Sequence, residues 1–311
     1  FMFAVSENNW LGRGIKLQSK LDVTEESISG NIYVKNPNYN YTNNAVFGNL
    51  DVSSEDRTLS SGYESTKTGF SLGTEFEQYE NIFFSPSLAA SHEKIDVQSS
   101  ASKQMQKMDG NFTNMDFAYG VKVDRRDQVY QPTAGYQTKF IQTIPLLIDS
   151  GSLKNGIDFS TYRAFSENVV GSAKFYARSM HGIDEDVRVT QRLYLPPQKL
   201  RGFKTARVGP KDGTDWIGGN YSSAFGFEAQ LPNLLPEEYR TDVSVFLDAG
   251  NVWGVDYSDS LADTNTIRSA IGLSANVFTT VGPLSFTFAQ DISKADSDET
   301  EAFNFRLGTS F

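Results

Sequence analysis

The sequence predicts an all-β chain, a transmembrane antiparallel β-barrel of about 16 strands. Three observations lead there. Apolar residues recur with a period of two, no apolar run is long enough for a spanning helix, and the alternating segments reach the roughly 10 residues that a tilted strand needs to cross a bilayer. Ile15, Leu17, Leu21 and Val23 alternate with Lys16, Gln18, Lys20 and Asp22. Met115, Phe117, Tyr119, Val121 and Val123 alternate with Asp116, Ala118, Gly120, Lys122 and Asp124, and Val243, Val245 and Leu247 alternate with Ser244, Phe246 and Asp248. Phe303, Phe305 and Leu307 alternate with Asn304, Arg306 and Gly308. Successive side chains of a strand point to opposite faces, so each such run has one apolar and one polar face. The longest apolar run, 144–148, is broken by Pro145. A helical span needs about 20 such residues, whereas a closed barrel satisfies its backbone without any helix.

Taken in order, strands are expected over 1–6, 12–24, 27–35, 44–54, 65–77, 79–92, 113–125 and 135–147, then over 154–164, 169–180, 186–194, 219–231, 241–252, 267–279, 283–292 and 300–311. The count is even, as in bacterial single-chain barrels. The polar faces carry Gly, Ser, Asn, Asp and Lys, as a wet or plugged lumen would; a soluble all-β protein is the alternative, with strands nearer 5–6 residues. Tight connections such as Glu77-Gln78-Tyr79 suit one rim, and longer polar ones at 99–112 and 254–266 suit the other. The stretch 195–218 stands apart. It is long, rich in Pro and Gly, and contains Leu200-Arg201-Gly202-Phe203, and a loop of that length is usually functional or disordered.

Composition narrows the function classes. The 311 residues carry a net charge of −10, so no basic face is available for nucleic acid, and with no cysteine there is neither a disulfide framework nor a thiolate metal site. His92 and His181 are the only histidines, and neither has metal-ligand spacing. Gly12-Arg13-Gly14 lacks the third glycine of a dinucleotide loop, and no G-x-S-x-G elbow occurs. The acidic runs Asp184-Glu185-Asp186 and Asp296-Ser297-Asp298-Glu299 read as solvated loop tips. No catalytic, metal or cofactor constellation is expected. The chain opens at Phe1 inside an apolar stretch with no leader, which reads as a mature fragment lacking an N-terminal portion.

Several landmarks fall in a recognisable order. Leu200-Arg201-Gly202-Phe203 resembles the V/L/I-R-G-F/Y motif of the sixth extracellular loop in the Omp85 superfamily. Asn8-Asn9-Trp10-Leu11-Gly12-Arg13-Gly14 is similar to the turn after that family's first barrel strand. Asn36-Pro37, Asp124-Arg125-Arg126 and Pro132-Thr133-Ala134-Gly135-Tyr136 match further landmarks, as do Phe246-Leu247-Asp248-Ala249-Gly250-Asn251-Val252-Trp253, Gly282-Pro283-Leu284 and the terminal Phe311. The resemblance covers nearly the whole chain and is strongest to the branch that folds and inserts other barrels.

That resemblance implies a single barrel domain over 1–311, preceded in the family by periplasmic POTRA domains that this chain lacks. It implies a non-enzymatic insertase of the Gram-negative outer membrane. Its partners would be unfolded outer-membrane β-barrel clients, accessory periplasmic lipoproteins, and the lipid bilayer with its lipopolysaccharide. It also implies that the long loop folds into the lumen, where Arg201 meets acidic residues of the wall. Parity supplies the matching positions: with Phe225, Phe227, Ala229 and Leu231 toward lipid, Glu228 faces inward, and so does Asp248. The first and last strands would form a weak seam through Phe3, Val5, Phe305, Leu307, Gly308 and Phe311, with Gly308 as a bend. Gly282-Pro283 is expected to limit pairing where its strand begins. The alternatives are a passive porin-like channel of the same strand count and a relative that secretes proteins or assembles autotransporters.

Overall fold

The computed structural model describes residues 2–24, 26–58, 62–101, 103–147, 151–213, 215–256, 261–263, 265–279 and 282–307. Ten strands come first: β1 (Met2–Trp10), β2 (Ile15–Val23), β3 (Ser27–Asn36), β4 (Ala45–Arg57), β5 (Tyr63–Tyr79), β6 (Ile82–Val97), β7 (Gly110–Asp124), β8 (Ala134–Pro145), β9 (Ser152–Ser166) and β10 (Val169–Gly182). A short helix, α1 (Lys103–Gln106), sits between β6 and β7. After β10 the described residues make a 3-10 turn, Val189–Gln191, and a hairpin of two-residue strands, β11 (Lys211–Asp212) with β12 (Asp215–Trp216). It then continues as β13 (Tyr221–Leu231), β14 (Thr241–Trp253), β15 (Arg268–Thr279), β16 (Gly282–Ser293) and β17 (Phe303–Leu307). Among the described residues, fifteen of these strands join one sheet in chain order, β1 to β10 and then β13 to β17. No described helix is long and apolar enough to cross a membrane.

The chain divides into two compact units. One comprises Phe1–Lys122, Phe140–Asn155 and Met180–Gln191, the other Val123–Lys139, Gly156–Ser179 and Arg192–Phe311. Within the second, alternation does what the sequence leads one to expect. Val245, Leu273, Phe288 and Phe303 stand opposite one another across four antiparallel strands, and all four are exposed. Such a row is stabilising in hydrocarbon and costly in water. The other face is polar or small: Ser244, Asp248, Ala270, Ser274 and Thr287 are buried there. In the first unit, Phe3 faces Leu21 and Ile32 faces Leu50, which faces Phe70, again all exposed. There, glycine makes room for aromatic rings: a Cβ on Gly73 would lie 2.4 Å from the Phe47 ring.

Several expectations are corrected. No strand forms over 186–194. The alternation of Val187 and Val189 with Arg188 and Thr190 belongs to a segment ending in a 3-10 turn, Val189–Gln191, with Val187, Arg188 and Val189 all buried. Strand β5 runs through Glu77-Gln78-Tyr79, and the turn falls at Glu80-Asn81, where Asn81 takes φ +63°. The 99–112 loop is shortened by α1, whose Met105 packs with Met108, Tyr63, Ile95 and Val189. The first strand is longer than 1–6, reaching Trp10. Gly282-Pro283 does not limit pairing with the preceding strand, because the β15–β16 register continues to Thr279 opposite Gly282.

Candidate functional site

The stretch from 192 to 220 lies in the second unit and is organised around Leu200-Arg201-Gly202-Phe203. Its two apolar residues are anchors. Leu200 and Phe203 are buried in a cluster with Leu195, Val208, Tyr176, Ala224, Val252 and Ala270. Burying side chains of this size is worth about 1.5–3 kcal/mol each relative to exposure, which explains why a Gly- and Pro-rich stretch is ordered. Gly202 takes φ +89°, and a Cβ there would lie 2.9 Å from the Ala289 Cβ and 3.2 Å from that of Ala270. Only glycine combines that backbone conformation with so close an approach to β15 and β16.

Arg201 lies against the same face of β13 and β14, beside that cluster, where the face becomes polar. Its Nε and Nη2 donate to the two carboxylate oxygens of Asp248, at 2.7 and 2.8 Å, and its backbone N–H donates to the same carboxylate at 3.1 Å. This is the fork geometry in which a guanidinium binds a carboxylate most strongly. Nη1 lies 3.7 Å from Glu228, and the guanidinium sits 3.6 Å from the centre of the Phe246 ring. The register explains the grouping. Glu228 pairs with Phe246 and Gly226 pairs with Asp248, so all four project from one face within two residues of one another. Opposite Asp248, the missing side chain of Gly226 leaves the carboxylate its space. Glu228 is held in turn by Ser244 Oγ at 2.7 Å and Lys174 Nζ at 3.1 Å.

The electrostatics favour a permanent charge on Arg201. Burial opposes it, but the hydrogen bonds and charge of Asp248, with Glu228 behind, outweigh burial and raise its pKa above the usual guanidinium value. Beside it lies a polar cavity of about 280 Å³ bordered by Lys174, Lys199, Arg201, Glu228, Asp248 and Arg306. Burial holds Lys199 below the usual lysine pKa, against the pull of Asp158.

The structure therefore brings Leu200, Arg201, Gly202, Phe203, Glu228 and Asp248 together. The seam residues are placed only in part. Phe3 and Val5 are exposed on β1, Phe305 is exposed on β17, and Leu307 is the last residue of β17. Gly308 and Phe311 lie outside the described residues. His92 is exposed on β6 beside Thr113 Oγ1, and His181 lies on β10. Among the described residues no acidic or histidine cluster could hold a metal. The turn after β1 is built as its sequence suggests, with Asn9 Oδ1 accepting from the Gly14 N–H at 2.7 Å.

Sequence reasoning missed three contributors. Phe246 supplies the floor under Arg201; the signal was a bulky ring on an otherwise polar face. Lys174 braces Glu228 from β10. In the first unit, Arg188 makes a separate buried anchorage: Nη2 donates to Asn114 Oδ1 at 2.8 Å, Nη1 lies 3.7 Å from Glu93, and the guanidinium stacks 4.3 Å from the Phe112 ring centre. Burial pushes the Arg188 pKa down, with Glu93 opposing. An arginine between two valines was its only trace in sequence.

Comparison with known proteins agrees with this architecture. The Omp85 superfamily domain matches residues 9–311. The outer membrane protein assembly factor BamA of Neisseria meningitidis serogroup B is 23% identical over an alignment spanning 99% of this chain and 44% of that protein. The BamA of Neorickettsia risticii is 23% identical over 235 residues, 71% of this chain and 31% of that protein. The chain thus spans less than half the length of either relative. Among solved structures, BamA from Haemophilus ducreyi lacking POTRA domains 1–3 superposes with a TM-score of 0.81 at 22% identity, covering 98% of this chain and 66% of that one. CdiB from Escherichia coli superposes less closely, with a TM-score of 0.63 at 15% identity, over 98% of this chain and 57% of that one. These likenesses give the fold as the all-β antiparallel transmembrane barrel. By the match across nearly all of its length, the chain belongs to the Omp85 superfamily.

Proposed function

We propose that this chain folds and inserts β-barrel proteins into the Gram-negative outer membrane, through a weak seam between its first and last strands. The observation that carries the reading is the fastening of Arg201 to Asp248, Glu228 and Phe246 on the polar face of the sheet. In a passive channel such a segment would narrow the pore; in a machine that must keep its lumen occupied while an edge opens, it would fill that lumen. The closer superposition on BamA than on CdiB favours assembly over the other roles within the superfamily.

The physical logic is one of backbone satisfaction. In hydrocarbon an unpaired N–H or C=O costs several kcal/mol, so a client strand needs a partner before it meets lipid. β1 and β17 stand at the two ends of the sheet order, and either could lend its edge while the client pairs. The role is non-enzymatic: backbone hydrogen bonds are exchanged and no covalent bond changes. Unfolded outer-membrane barrels are the clients, with accessory periplasmic lipoproteins and the lipopolysaccharide-containing bilayer as further partners.

The test uses the absence of cysteine. Cysteines replacing Val5 in β1 and Leu307 in β17 would be oxidised in the protein reconstituted in proteoliposomes, and insertion of an unfolded outer-membrane barrel would be followed before and after reduction. Insertion should stop on oxidation and return with reductant. Equal insertion by the locked and reduced forms would refute the seam mechanism.

A further inference from the structure

The last described strand, β17, is entered through a connection that is tied to other parts of the second unit. Among the described residues, its five residues pair with Leu284 to Phe288 of β16, and the Ala289 N–H donates to Ala302 O at 2.9 Å just before it. The strand is entered through residues 294–302, so its position depends in part on how that connection is held. Besides the Ala302 bond to β16, that connection is bound at two places. At its start, Asp298 takes a bidentate hydrogen bond from the fully buried Arg268 and accepts the Ala295 N–H at 2.7 Å. At its end it pairs with the Leu200-Arg201-Gly202-Phe203 segment. The Glu301 N–H donates to Gly202 O and the Lys204 N–H to Glu299 O, both at 2.9 Å, with Phe203 and Thr300 as the facing pair. The Glu299 N–H donates to Arg207 O at 3.2 Å, and Lys204 Nζ reaches the Glu299 carboxylate at 2.7 Å.

Side chains continue the path into the strand. Asn304 Nδ2 donates to Glu301 at 2.8 Å, and Arg306 Nε donates to Asn304 Oδ1 at 3.0 Å. Arg306 borders the same polar cavity as Arg201. The guanidinium on the β13–β14 wall and the last strand are therefore joined by an unbroken run of bonds through Gly202 and Glu301.

We infer that residues 200–207 are a positioning element for β17: seated, they hold the 294–302 connection and with it the last strand, and unseated, they release both. The inference rests on the proposed seam function for its purpose, although the coupling itself does not depend on that function. It names Gly202, Lys204, Glu299 and Glu301 as positioning residues.

Hydrogen exchange of the chain folded into lipid bilayers tests it, read at the amides of Phe303 to Leu307. Lys204→Glu removes the ion pair and sets two carboxylates face to face, so β17 amides should exchange about fivefold faster, the scale of one exposed pair. Adding Glu299→Lys in the same chain restores opposite charges and should return exchange to near the wild-type rate. A role confined to local packing would not be rescued by a swap. Gly202→Ala, which places a Cβ against Ala289 and Ala270, should act more strongly in the same direction. In all variants the amides of Tyr221–Leu231 and Thr241–Trp253 should keep their protection. Wild-type exchange of β17 in both Lys204→Glu and Gly202→Ala would overturn the coupling. If β17 loosens as expected while insertion of an unfolded barrel by the same variants is unchanged, the coupling stands and the seam reading fails.

Discussion

Replacing Arg201 by alanine tests most directly what seats the 192–220 segment. Asp248 is 1% exposed, and three of its hydrogen bonds come from Arg201, two from the guanidinium and one from the backbone N–H. Arg201→Ala removes the two guanidinium bonds and leaves a buried carboxylate with the single backbone donor. Breaking a buried pair in this way costs about 3–5 kcal/mol. Losing the cation–π contact with Phe246, at 3.6 Å, adds about 1–2 kcal/mol where the site is desolvated. Against this, the adjoining cavity of about 280 Å³ admits water that can solvate the stranded carboxylates. The net expectation is about 3 kcal/mol, near a hundredfold shift toward the unseated segment.

The assay is amide hydrogen exchange across 198–208 in bilayers, which should speed up by about two orders of magnitude while β13 and β14 stay protected. Arg201→Lys keeps the charge, loses the fork, and should fall between alanine and wild type. The pH dependence has a definite sign. Because the Arg201 pKa is raised, its contribution is fully present below the ordinary guanidinium value and is lost only above it, so the guanidinium adds no slope between pH 5 and 9. If Arg201→Ala exchanged no faster than wild type over 198–208, Leu200 and Phe203 alone would seat the segment, and the ion pair would be incidental.

Further outcomes follow from the same reasoning. Arg188→Ala strands the buried Glu93 and should cost about 3–5 kcal/mol in denaturant unfolding, whereas Arg188→Met with Glu93→Leu should be near neutral. Gly73→Ala drives a Cβ to within 2.4 Å of the Phe47 ring and should destabilise by about 1–3 kcal/mol by the same measurement. The Glu299 pKa is lowered, first by its hydrogen bond from Lys204, so its contribution is present above about pH 4.3 and fades as pH falls through the lower folded value. The difference in β17 exchange between wild type and Glu299→Gln, corrected for intrinsic rates, should therefore be clear at pH 7 and vanish in strong acid.

How much of this was legible in sequence follows from what each residue faces. Phe225, Phe227 and Leu247 need an apolar surround and Glu228 and Asp248 a polar one, so parity alone put the two carboxylates on the wall that Arg201 meets. The same rule failed at 186–194. There Val187 and Val189 alternate with Arg188 as in a strand, but all three are buried, Val189 in an apolar cluster and the arginine on Glu93 and Asn114. Alternation records two environments and cannot say that a ladder separates them. The tight turn was placed too early for a similar reason. Glu77 to Tyr79 lack apolar alternation yet still pair with β6, and the residue that permits the reversal is Asn81, with its positive φ. The pairing of 202–204 with 299–301 had no trace at all, since nothing in either stretch repeats.

The order Leu200-Arg201-Gly202-Phe203 makes sense as a device for fixing register. The apolar pair and the arginine face different environments, and the positive-φ glycine lets them do so within four residues. Burial of Leu200 and Phe203 supplies stabilisation without direction, because an apolar cluster accepts many similar arrangements. The fork on Asp248 is directional. Slipping the segment by one residue would bring Leu200 or Gly202 to the carboxylate, leaving it buried and unpaired at a cost of several kcal/mol. A buried ion pair contributes little over a well-packed apolar contact in the seated state, but it penalises every wrongly seated one. For a segment that grips the connection to the last strand, that penalty matters more than adhesion. A slip of one residue would also move Gly202 and Lys204 away from Glu301 and Glu299, so the bond that sets the register on β14 sets it for the approach to β17 as well.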